Sequence, residues 1–325
     1  MKLDQATLTR ARLALREAVR EWIYDPNVML IDFGWPEHDG KLAPDELAIR
    51  IHVKEKKPRG PALEAAIAEG KTRATIPTSL KGFQVDVPQG TYRLQQRSGF
   101  GRHSGSQRAR RNDPMRGGIS LSDGYRNIYG TLGGPVVDRV TGDPMILSNW
   151  HVLAGNWSVQ PGWPIVQPGI GDGGRSTDKV AEFSRHAMSA GLDAAVARLT
   201  GTRRLINDQY DLGRVSGVGW ADLGMEVVKS GRKTNVTYGV VTAIEATVKM
   251  TYRGGIERLI QNVVTIEPRA PLREVSAGGD SGSLWCDSET MRAVALHFAG
   301  TDDPERALAM DIQPILDVLN VDMVV

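Results

Sequence analysis

The first 95 residues alternate between helical and strand-like spacings of hydrophobic residues. A helix is predicted near the start, because apolar residues recur every three or four positions at Leu8, Ala11, Leu15, Val19 and Trp22. Strands are predicted over residues 28–33, 47–54 and 83–87, and a short helix, PALEAAIAE, opens at Pro61. This pattern predicts a small α/β domain over residues 1–95.

The strand predicted at residues 47–54, LAIRIHVK, alternates strictly between apolar and polar residues. Successive side chains of a strand point to opposite faces, so Arg50, His52 and Lys54 are predicted to face solvent. His52 is therefore expected to be a surface residue and not a ligand.

The stretch from Arg97 to Gly118 is rich in Gly, Ser and Arg and poor in large apolar residues. Such a composition is typical of a flexible, solvated tether, so residues 96–118 are predicted to be a linker. Six arginines form the strongest nucleic-acid signal in the chain: Arg97, Arg102, Arg108, Arg110, Arg111 and Arg116. Only Phe100 interleaves them and no known reading module accompanies them, so nucleic acid is not an expected partner.

From Gly130 onward, short apolar strands alternate with turns rich in Gly, Pro, Asp and Asn. The segment GGPVVDRVTGDPMILSNWHVL predicts a hairpin that turns at TGDP and brings His151 to the end of its second strand. Helical spacing returns only in DIQPILDVLNV near the C-terminus. The pattern predicts an all-β barrel or sandwich with a closing helix, which we assign to residues 119–325.

Composition narrows the class of protein. The 325 residues are 41% hydrophobic and 24% charged, with a net charge of +2, which argues neither for nucleic acid nor for a membrane surface. No apolar run approaches the roughly 18 residues of a membrane span, and charges interrupt the N-terminal residues, unlike a secretory signal. The single cysteine, Cys286, fits a reducing compartment and is expected to be a buried strand residue. A cytoplasmic location is therefore expected.

Three separate blocks place chemically active side chains at the ends of apolar strands. They are SNWHVLAG with His151, GLDAAVARL with Asp193 and AGGDSGSLWC with Ser281. Each has an ordinary reading on its own: a strand-end histidine, a strand cap and a turn. A serine hydroxyl needs a base to attack a carbonyl, and a base needs an acid to orient it, so the three together predict a catalytic triad. His186, in SRHAMSAG, is a rival base without an acid partner and is expected to lie in a surface loop.

The order and contexts of these blocks resemble the trypsin-like (chymotrypsin-fold) serine peptidases. A closer resemblance, from about residue 76 onward, is to bacterial trypsin-like proteins akin to the plant narrow-leaf group, on the blocks GTLGG, LSNWHVLA, IVQPGIGDGG, DAAVA, KSGRKT…YGVVTAI and GDSGSLW. The resemblance implies two six-stranded antiparallel β-barrels with the active site between them and a C-terminal helix. The small α/β domain precedes them.

The resemblance also implies roles for residues around the triad. The backbone N–H groups of Gly279 and Ser281 would form the oxyanion hole. The substrate-binding residues would be Val275 at the base of the specificity pocket, Ser276, His297 and the substrate-pairing edge Phe298, Ala299 and Gly300. Val275 offers no charge to a basic side chain, whereas His297 and Ser276 resemble the acid-reading pair of glutamyl endopeptidases. His297 could equally be a plain strand residue. Phe298 stands where many relatives have a serine that supports the catalytic aspartate.

Asp280 would be buried beside the oxyanion hole and would need a cation. The block KSGRKT supplies Lys229 or Arg232 for this structural ion pair in the uncut chain. Cleavage after Arg116, before GGISL, is therefore not expected to be required for activity.

Two classes of function follow from the sequence. The first is an intracellular serine endopeptidase that acts on proteins or peptides, with a preference for acidic residues in place of basic ones. The second is a binding or scaffold protein on a peptidase fold, because a fold alone does not fix function. The N-terminal domain could bind a regulatory partner and the chain could form oligomers. No cofactor, metal site or membrane contact is expected.

Overall fold

The computed structural model describes residues 3–56, 60–70, 75–95, 97–98 and 106–325. Arg102 of the predicted linker lies outside the described residues.

Four α-helices are present in the described chain: α1 Gln5–Trp22, α2 Pro61–Ala68, α3 Trp150–Leu153 and α4 Ile312–Leu319. The strands of its first half are β1 Val28–Gly34, β2 Glu37–His38, β3 Lys41–Leu42, β4 Ala48–Val53, β5 Ser79–Leu80, β6 Phe83–Asp86, β7 Arg93–Leu94, β8 Arg97–Ser98, β9 Met115–Gly117, β10 Ser120–Asp123, β11 Ile128–Thr131, β12 Gly134–Asp138, β13 Pro144–Ser148 and β14 Pro164–Val166. Those of the second half are β15 Lys179–His186, β16 Ala195–Leu199, β17 Leu205–Gln209, β18 Gly217–Val218, β19 Glu226–Gly231, β20 Asn235–Tyr252, β21 Ile256–Pro268, β22 Leu284–Asp287, β23 Arg292–Asp302, β24 Glu305–Asp311 and β25 Val321–Met323.

The chain is mainly β, as the sequence predicted, and within the described residues its strands form two large sheets. One sheet runs β25-β12-β13-β16-β15-β14-β10-β11-β8 as an open path of antiparallel pairs. In the other, β19, β22, β23, β24, β21 and β20 pair in that order and β20 pairs back with β19, which gives a closed ring of six antiparallel strands. The predicted C-terminal helix is confirmed as α4, whose buried residues are Ile312, Ile315, Leu316 and Leu319.

The N-terminal strands extend the second sheet. β20 has 18 residues, long enough to pair with β19 at its start and with β1 farther along, and β1 then pairs with β4 and β4 with β6. Helix α1 covers this extension with an apolar face that includes Leu15 and Trp22. The N-terminal strands β1, β4, β5, β6 and β7 therefore share a hydrogen-bonded sheet with the C-terminal half, and the predicted domain boundary at residue 95 stays a prediction.

The prediction that Arg50 and His52 face solvent is wrong, because both side chains are fully buried. Strand β4 lies between β1 and β6, and its polar face is covered by the chain at residues 88–92. Arg50 pairs with Asp32 at 2.6 Å, and His52 Nδ1 is 2.7 Å from the hydroxyl of Tyr92. Strict alternation predicted two faces correctly but could not show that the polar face packs on another part of the chain.

The predicted linker is part of the fold from Ser106 onward. Arg108 is buried, donates to the backbone carbonyl of Tyr210 at 3.0 Å and forms an ion pair with Asp211 at 3.0 Å. Strand β9 pairs with β17, and Arg116 forms an ion pair with Asp208 at 2.6 Å. Two of the six arginines of the predicted linker are thus paired with protein carboxylates.

Cys286 is buried in β22, as predicted, and burial raises the pKa of its thiol to about 12. No helix in the described part of the chain is long and apolar enough to cross a membrane.

Candidate active site

His151 and Asp193 come together because neighbouring strands deliver them to the same end of one sheet. Helix α3 carries His151 directly after β13, Asp193 lies two residues before β16, and β13 pairs with β16. The Nδ1 atom of His151 is 2.5 Å from Oδ2 of Asp193, and the His151 backbone N–H donates to Oδ1 at 3.0 Å. Asn149 donates to the Asp193 carbonyl at 2.7 Å. The carboxylate therefore holds the imidazole in place with its proton on Nδ1 and the lone pair on Nε2.

Tyr252 is a site residue that the sequence analysis missed. Its hydroxyl donates to Oδ2 of Asp193 at 2.8 Å, and both side chains are buried. Burial and the Asp193 carboxylate raise the pKa of Tyr252 well above its usual value, so it remains a donor. The Phe298 side chain has no hydroxyl to support the aspartate, and Tyr252 supplies that support from β20.

Tyr252→Phe is expected to lower kcat by about tenfold to a hundredfold, because a hydrogen bond to a charged group contributes roughly 1.5–3 kcal/mol. With one donor fewer, the Asp193 carboxylate attracts the imidazolium proton more strongly, so the acid limb of the pH–rate profile should move to higher pH. The control is Tyr125→Phe, at a position 66% exposed. An unchanged acid limb in Tyr252→Phe would show that Tyr252 only fills space.

Ser281 lies on a tight turn that depends on two glycines. Gly279 has a φ of +118° and Gly282 a φ of +99°, conformations that L side chains rarely adopt. A Cβ on Gly279 would lie 2.5 Å from the ring of Tyr129. This backbone turns the N–H groups of Gly279 and Ser281 in one direction, toward a single carbonyl oxygen described below.

The serine loop lies beside the histidine loop. A Cβ placed on Gly130 would be 2.5 Å from Cγ2 of Val152 and 3.0 Å from the Ser281 carbonyl. Ser281 Oγ donates to the Phe298 carbonyl at 3.0 Å. The Nε2 atom of His151 is buried and has no hydrogen-bond partner within the described residues. Within the described residues, His151 is therefore hydrogen-bonded to Asp193 and Ser281 to the Phe298 carbonyl, with no hydrogen bond between Ser281 and His151.

Asp280 is buried and carries a full set of partners. Lys229 Nζ lies 3.0 Å from Oδ2, the Thr234 hydroxyl donates to the same oxygen at 2.6 Å, and the Lys233 backbone N–H donates to Oδ1 at 2.8 Å. Burial raises the pKa of Asp280, but Lys229 and Thr234 more than offset this, and the pKa is lowered to about 2. The carboxylate is thus neutralised and holds the serine turn in an uncut chain.

Of the two predicted cations, Lys229 lies against Asp280, and Arg232 forms an ion pair with Asp172, with Nε 2.5 Å from the carboxylate. In the stretch after Arg116, Ile119 is buried in the core.

The chain's own residues 93–95 occupy the cleft in front of Ser281. Strand β7 pairs antiparallel with β23, with Leu94 opposite Ala299 and Arg93 opposite Gly300. The Gln95 N–H donates to the Phe298 carbonyl at 3.1 Å. The Gln95 carbonyl oxygen accepts from the backbone N–H groups of Gly279 and Ser281.

The side chain of Gln95 lies in the pocket that the sequence analysis assigned to specificity. Its Oε1 atom is 2.5 Å from His297 Nε2, and the Trp285 indole N–H donates to His297 Nδ1 at 3.5 Å. Burial and the Lys229 charge lower the pKa of His297 to about 3, so the ring is neutral and donates from Nε2 to the amide oxygen.

The remaining pocket residues lie around the same loop. Val275 is buried, and its N–H and that of Ser276 donate to Glu305 at 3.0 and 3.1 Å. The Ser276 hydroxyl is buried without a hydrogen-bond partner in the described residues. His186 ends β15, and its Nδ1 accepts from the Met188 N–H at 3.2 Å. The described residues contain no cluster of His, Cys, Asp or Glu that could hold a metal ion.

Sequence reasoning missed Gln95 and Tyr252. Gln95 belongs to TYRLQQRSG, whose polar, extended character gives no sign that it returns to the serine turn. Tyr252 ends a long strand pattern in which an aromatic residue is ordinary.

No family model and no curated protein matches this chain. Among solved structures, the chain is similar to Cellulomonas bogoriensis chymotrypsin, at 20% identity over 66% of this chain and 99% of that one, with a TM-score of 0.48. It is also similar to a Nocardiopsis protease, at 20% identity over 66% and 100% of the two chains, with a TM-score of 0.49. A third is a glutamic acid specific serine protease described as using a histidine triad in substrate binding, at 21% identity over 65% and 100%, with a TM-score of 0.48. The chain is thus similar to bacterial serine proteases of the chymotrypsin fold, and the proposal for its activity rests on its own residues.

Proposed function

We propose that this protein is a serine endopeptidase in which Ser281 is the nucleophile, His151 the general base and Asp193 the residue that orients the base. The observation that carries the proposal is a peptide carbonyl, that of Gln95, hydrogen-bonded to the N–H groups of Gly279 and Ser281. Two N–H groups that converge on one peptide carbonyl, beside a serine and a His–Asp pair, are what acyl transfer requires.

In the proposed reaction Ser281 Oγ attacks the carbonyl carbon of the residue before the cleaved bond, and His151 Nε2 takes the serine proton. The oxyanion accepts from the N–H groups of Gly279 and Ser281. His151 then gives its proton to the leaving amine, and water hydrolyses the acyl-enzyme by the same route in reverse.

Glutamine is the side chain that best fits the specificity pocket. His297 is neutral at pH 7 and donates one hydrogen bond, which is sufficient for the amide oxygen of a Gln side chain. A Glu side chain would bury a carboxylate charge there with no cation beside it. We therefore propose a preference for Gln over Glu near neutral pH, in place of the Glu preference expected from the sequence. A Lys or Arg side chain in the pocket would contact Val275 and the neutral imidazole of His297, and neither carries a negative charge to pair with it.

His297→Ala is expected to lower kcat/KM for a Gln peptide by about tenfold, because an unpaired buried amide oxygen costs roughly 1–3 kcal/mol. A peptide with Leu at the same position should lose much less. The measurement is a fluorogenic peptide set with Gln, Glu, Leu or Lys before the cleaved bond, and the control is His38→Ala, far along the chain and 55% exposed. Equal turnover of all four peptides, unchanged by His297→Ala, would refute the pocket assignment.

The experiment that tests the activity is digestion of a mixed peptide library, with new ends mapped by mass spectrometry. Cleavage enriched after Gln, absent with Ser281→Ala, is expected. A library left intact by a folded chain whose Ser281 also fails to react with a fluorophosphonate would favour the scaffold function. A cytoplasmic location rests on the single buried Cys286, and a regulatory partner for residues 1–95 and an oligomeric state remain proposals from the sequence.

A further inference from the structure

The chain crosses the cleft between the two sheets at Gln95. Before this residue, Arg93 and Leu94 pair with β23 of the ring sheet. After it, Arg97 and Ser98 pair with β11 of the other sheet, opposite Tyr129 and Ile128. The Gln95 carbonyl therefore lies where the chain passes from one sheet to the other.

Three groups of Gln95 make hydrogen bonds in the cleft: its N–H, its carbonyl and its side-chain amide. Its N–H donates to the Phe298 carbonyl, its carbonyl accepts from Gly279 and Ser281, and its side chain reaches His297. A packing contact of a surface segment would need none of these. Together they place the Gln95 carbonyl carbon where the carbon under attack must lie for acyl transfer.

The segment before Gln95 is anchored to the N-terminal strands. The Val53 N–H donates to the Pro88 carbonyl at 2.9 Å, and the Gly90 N–H donates to the Val53 carbonyl at 3.0 Å. Arg306 donates to the Gln89 carbonyl at 3.1 Å. This anchorage makes the peptide a tethered reactant, with no translational freedom to lose on entering the cleft.

We propose that the chain is its own substrate and that Ser281 cleaves the bond between Gln95 and Gln96 within the same molecule. This rests on the proposed function. Ser281 Oγ bonds to the Gln95 carbonyl carbon, its proton passes through His151 to the amino group of residue 96, and the C–N bond breaks. Water then hydrolyses the Gln95 ester, giving a carboxylate at Gln95 and regenerating the serine hydroxyl.

The step requires the serine hydroxyl to change partner. Ser281 Oγ must turn from the Phe298 carbonyl, which also accepts from Gln95, toward Nε2 of His151, which has no hydrogen-bond partner within the described residues. Before cleavage, residues 93–95 also compete with any other peptide for the cleft. After cleavage, residues 3–95 stay attached because β1 remains paired with β20.

The self-cleavage test is the intact mass of the purified full-length chain over time, at two protein concentrations tenfold apart. Two fragments ending at Gln95 and beginning at Gln96 are expected, with masses that add up to the chain plus one water. They should form at a rate independent of concentration and elute together in native chromatography. Ser281→Ala should stay intact, and Gln95→Ala should cleave about tenfold more slowly, whereas Gln160→Ala, at an exposed loop glutamine, should match the wild type.

A second variant separates this proposal from the proposed activity. The Gln95 N–H donates to the Phe298 carbonyl, so Gln95 and Phe298 form a hydrogen-bonded pair. Hydrogen-bonded and non-hydrogen-bonded pairs alternate along antiparallel strands. The next hydrogen-bonded pair is therefore Arg93 with Gly300. Arg93→Pro removes that N–H and should slow self-cleavage while raising the rate at which a fluorophosphonate reacts with Ser281, by about two- to tenfold for one hydrogen bond. Arg93→Ala keeps the N–H and is the control.

The outcomes are distinct. An intact wild-type chain together with a reactive Ser281 in Arg93→Pro would overturn self-cleavage and leave the peptidase standing. Fragments that also form in Ser281→Ala would overturn it, because another protease would then be responsible. An unreactive Ser281 in Arg93→Pro would overturn both.

Discussion

Replacement of Ser281 or His151 by Ala, or of Asp193 by Asn, is expected to lower kcat for peptide hydrolysis by on the order of 10⁴-fold or more. The physical reason is that all three side chains take part in moving the same proton, from the Ser281 hydroxyl through His151 to the leaving group. Without His151 the serine keeps its proton, and without the Asp193 carboxylate the imidazole loses the hydrogen bond that fixes its tautomer. Double replacements should therefore be no worse than single ones.

The matched control for these variants is Ser158→Ala, an exposed serine in the loop after α3, which should keep full activity. Near-ultraviolet circular dichroism and the Tm should show that Ser281→Ala folds as the wild type does. Losses that multiply in the double variant would contradict a shared proton pathway.

Lys229→Met is expected to lower the free energy of unfolding by about 3–5 kcal/mol, because it leaves the buried Asp280 carboxylate without its cation. Lys229 and Asp280 are both fully buried, and Asp280 fixes the turn that carries Ser281. The variant should therefore also lose most of its activity, since the N–H groups of Gly279 and Ser281 depend on that turn. Urea unfolding followed by fluorescence measures the stability.

The control is Lys233→Met, which removes an exposed lysine charge from the same loop and should be nearly neutral. The pKa of Asp280 is lowered to about 2 in the folded chain, below the usual value near 4. The stability that its charge contributes is therefore present above about pH 4 and is lost as the pH falls toward 2. An equal effect of the two lysine variants would show that Asp280 does not depend on Lys229.

Local patterns in the sequence predicted much of the architecture because they are set by neighbours along the chain. Helical spacing from Leu8 to Trp22 predicted α1, the turn TGDP predicted the β12–β13 hairpin, and DIQPILDVLNV predicted α4. The three blocks around His151, Asp193 and Ser281 also predicted which strand ends carry the site, although their catalytic roles stay proposals.

Contacts between distant parts of the chain were the ones that sequence patterns could not predict. Tyr252 reaches Asp193 across 59 positions, and Gln95 reaches His297 across 202. Arg50 and His52 were misplaced because the residues that cover them lie outside their own strand. In each case, the side chain is stabilised by a partner that is distant in sequence and comes close only in the folded chain.

The described N-terminal strands are consequently connected to the cleft as well as to the sheet. Their strands extend the ring sheet and hold the segment that ends at Gln95 in front of Ser281. Access to the site therefore depends on this segment. Serine reactivity is best measured in a variant, such as Arg93→Pro, in which the segment is loosened.

The proposed role of Ser281 as a nucleophile is tested most directly by labelling the Arg93→Pro chain with a fluorophosphonate and locating the label by peptide mass spectrometry. We expect one modified residue, Ser281, and no labelling of the same chain carrying Ser281→Ala. A folded Arg93→Pro chain that stays unlabelled at Ser281, or one labelled equally with Ser281→Ala, would contradict it.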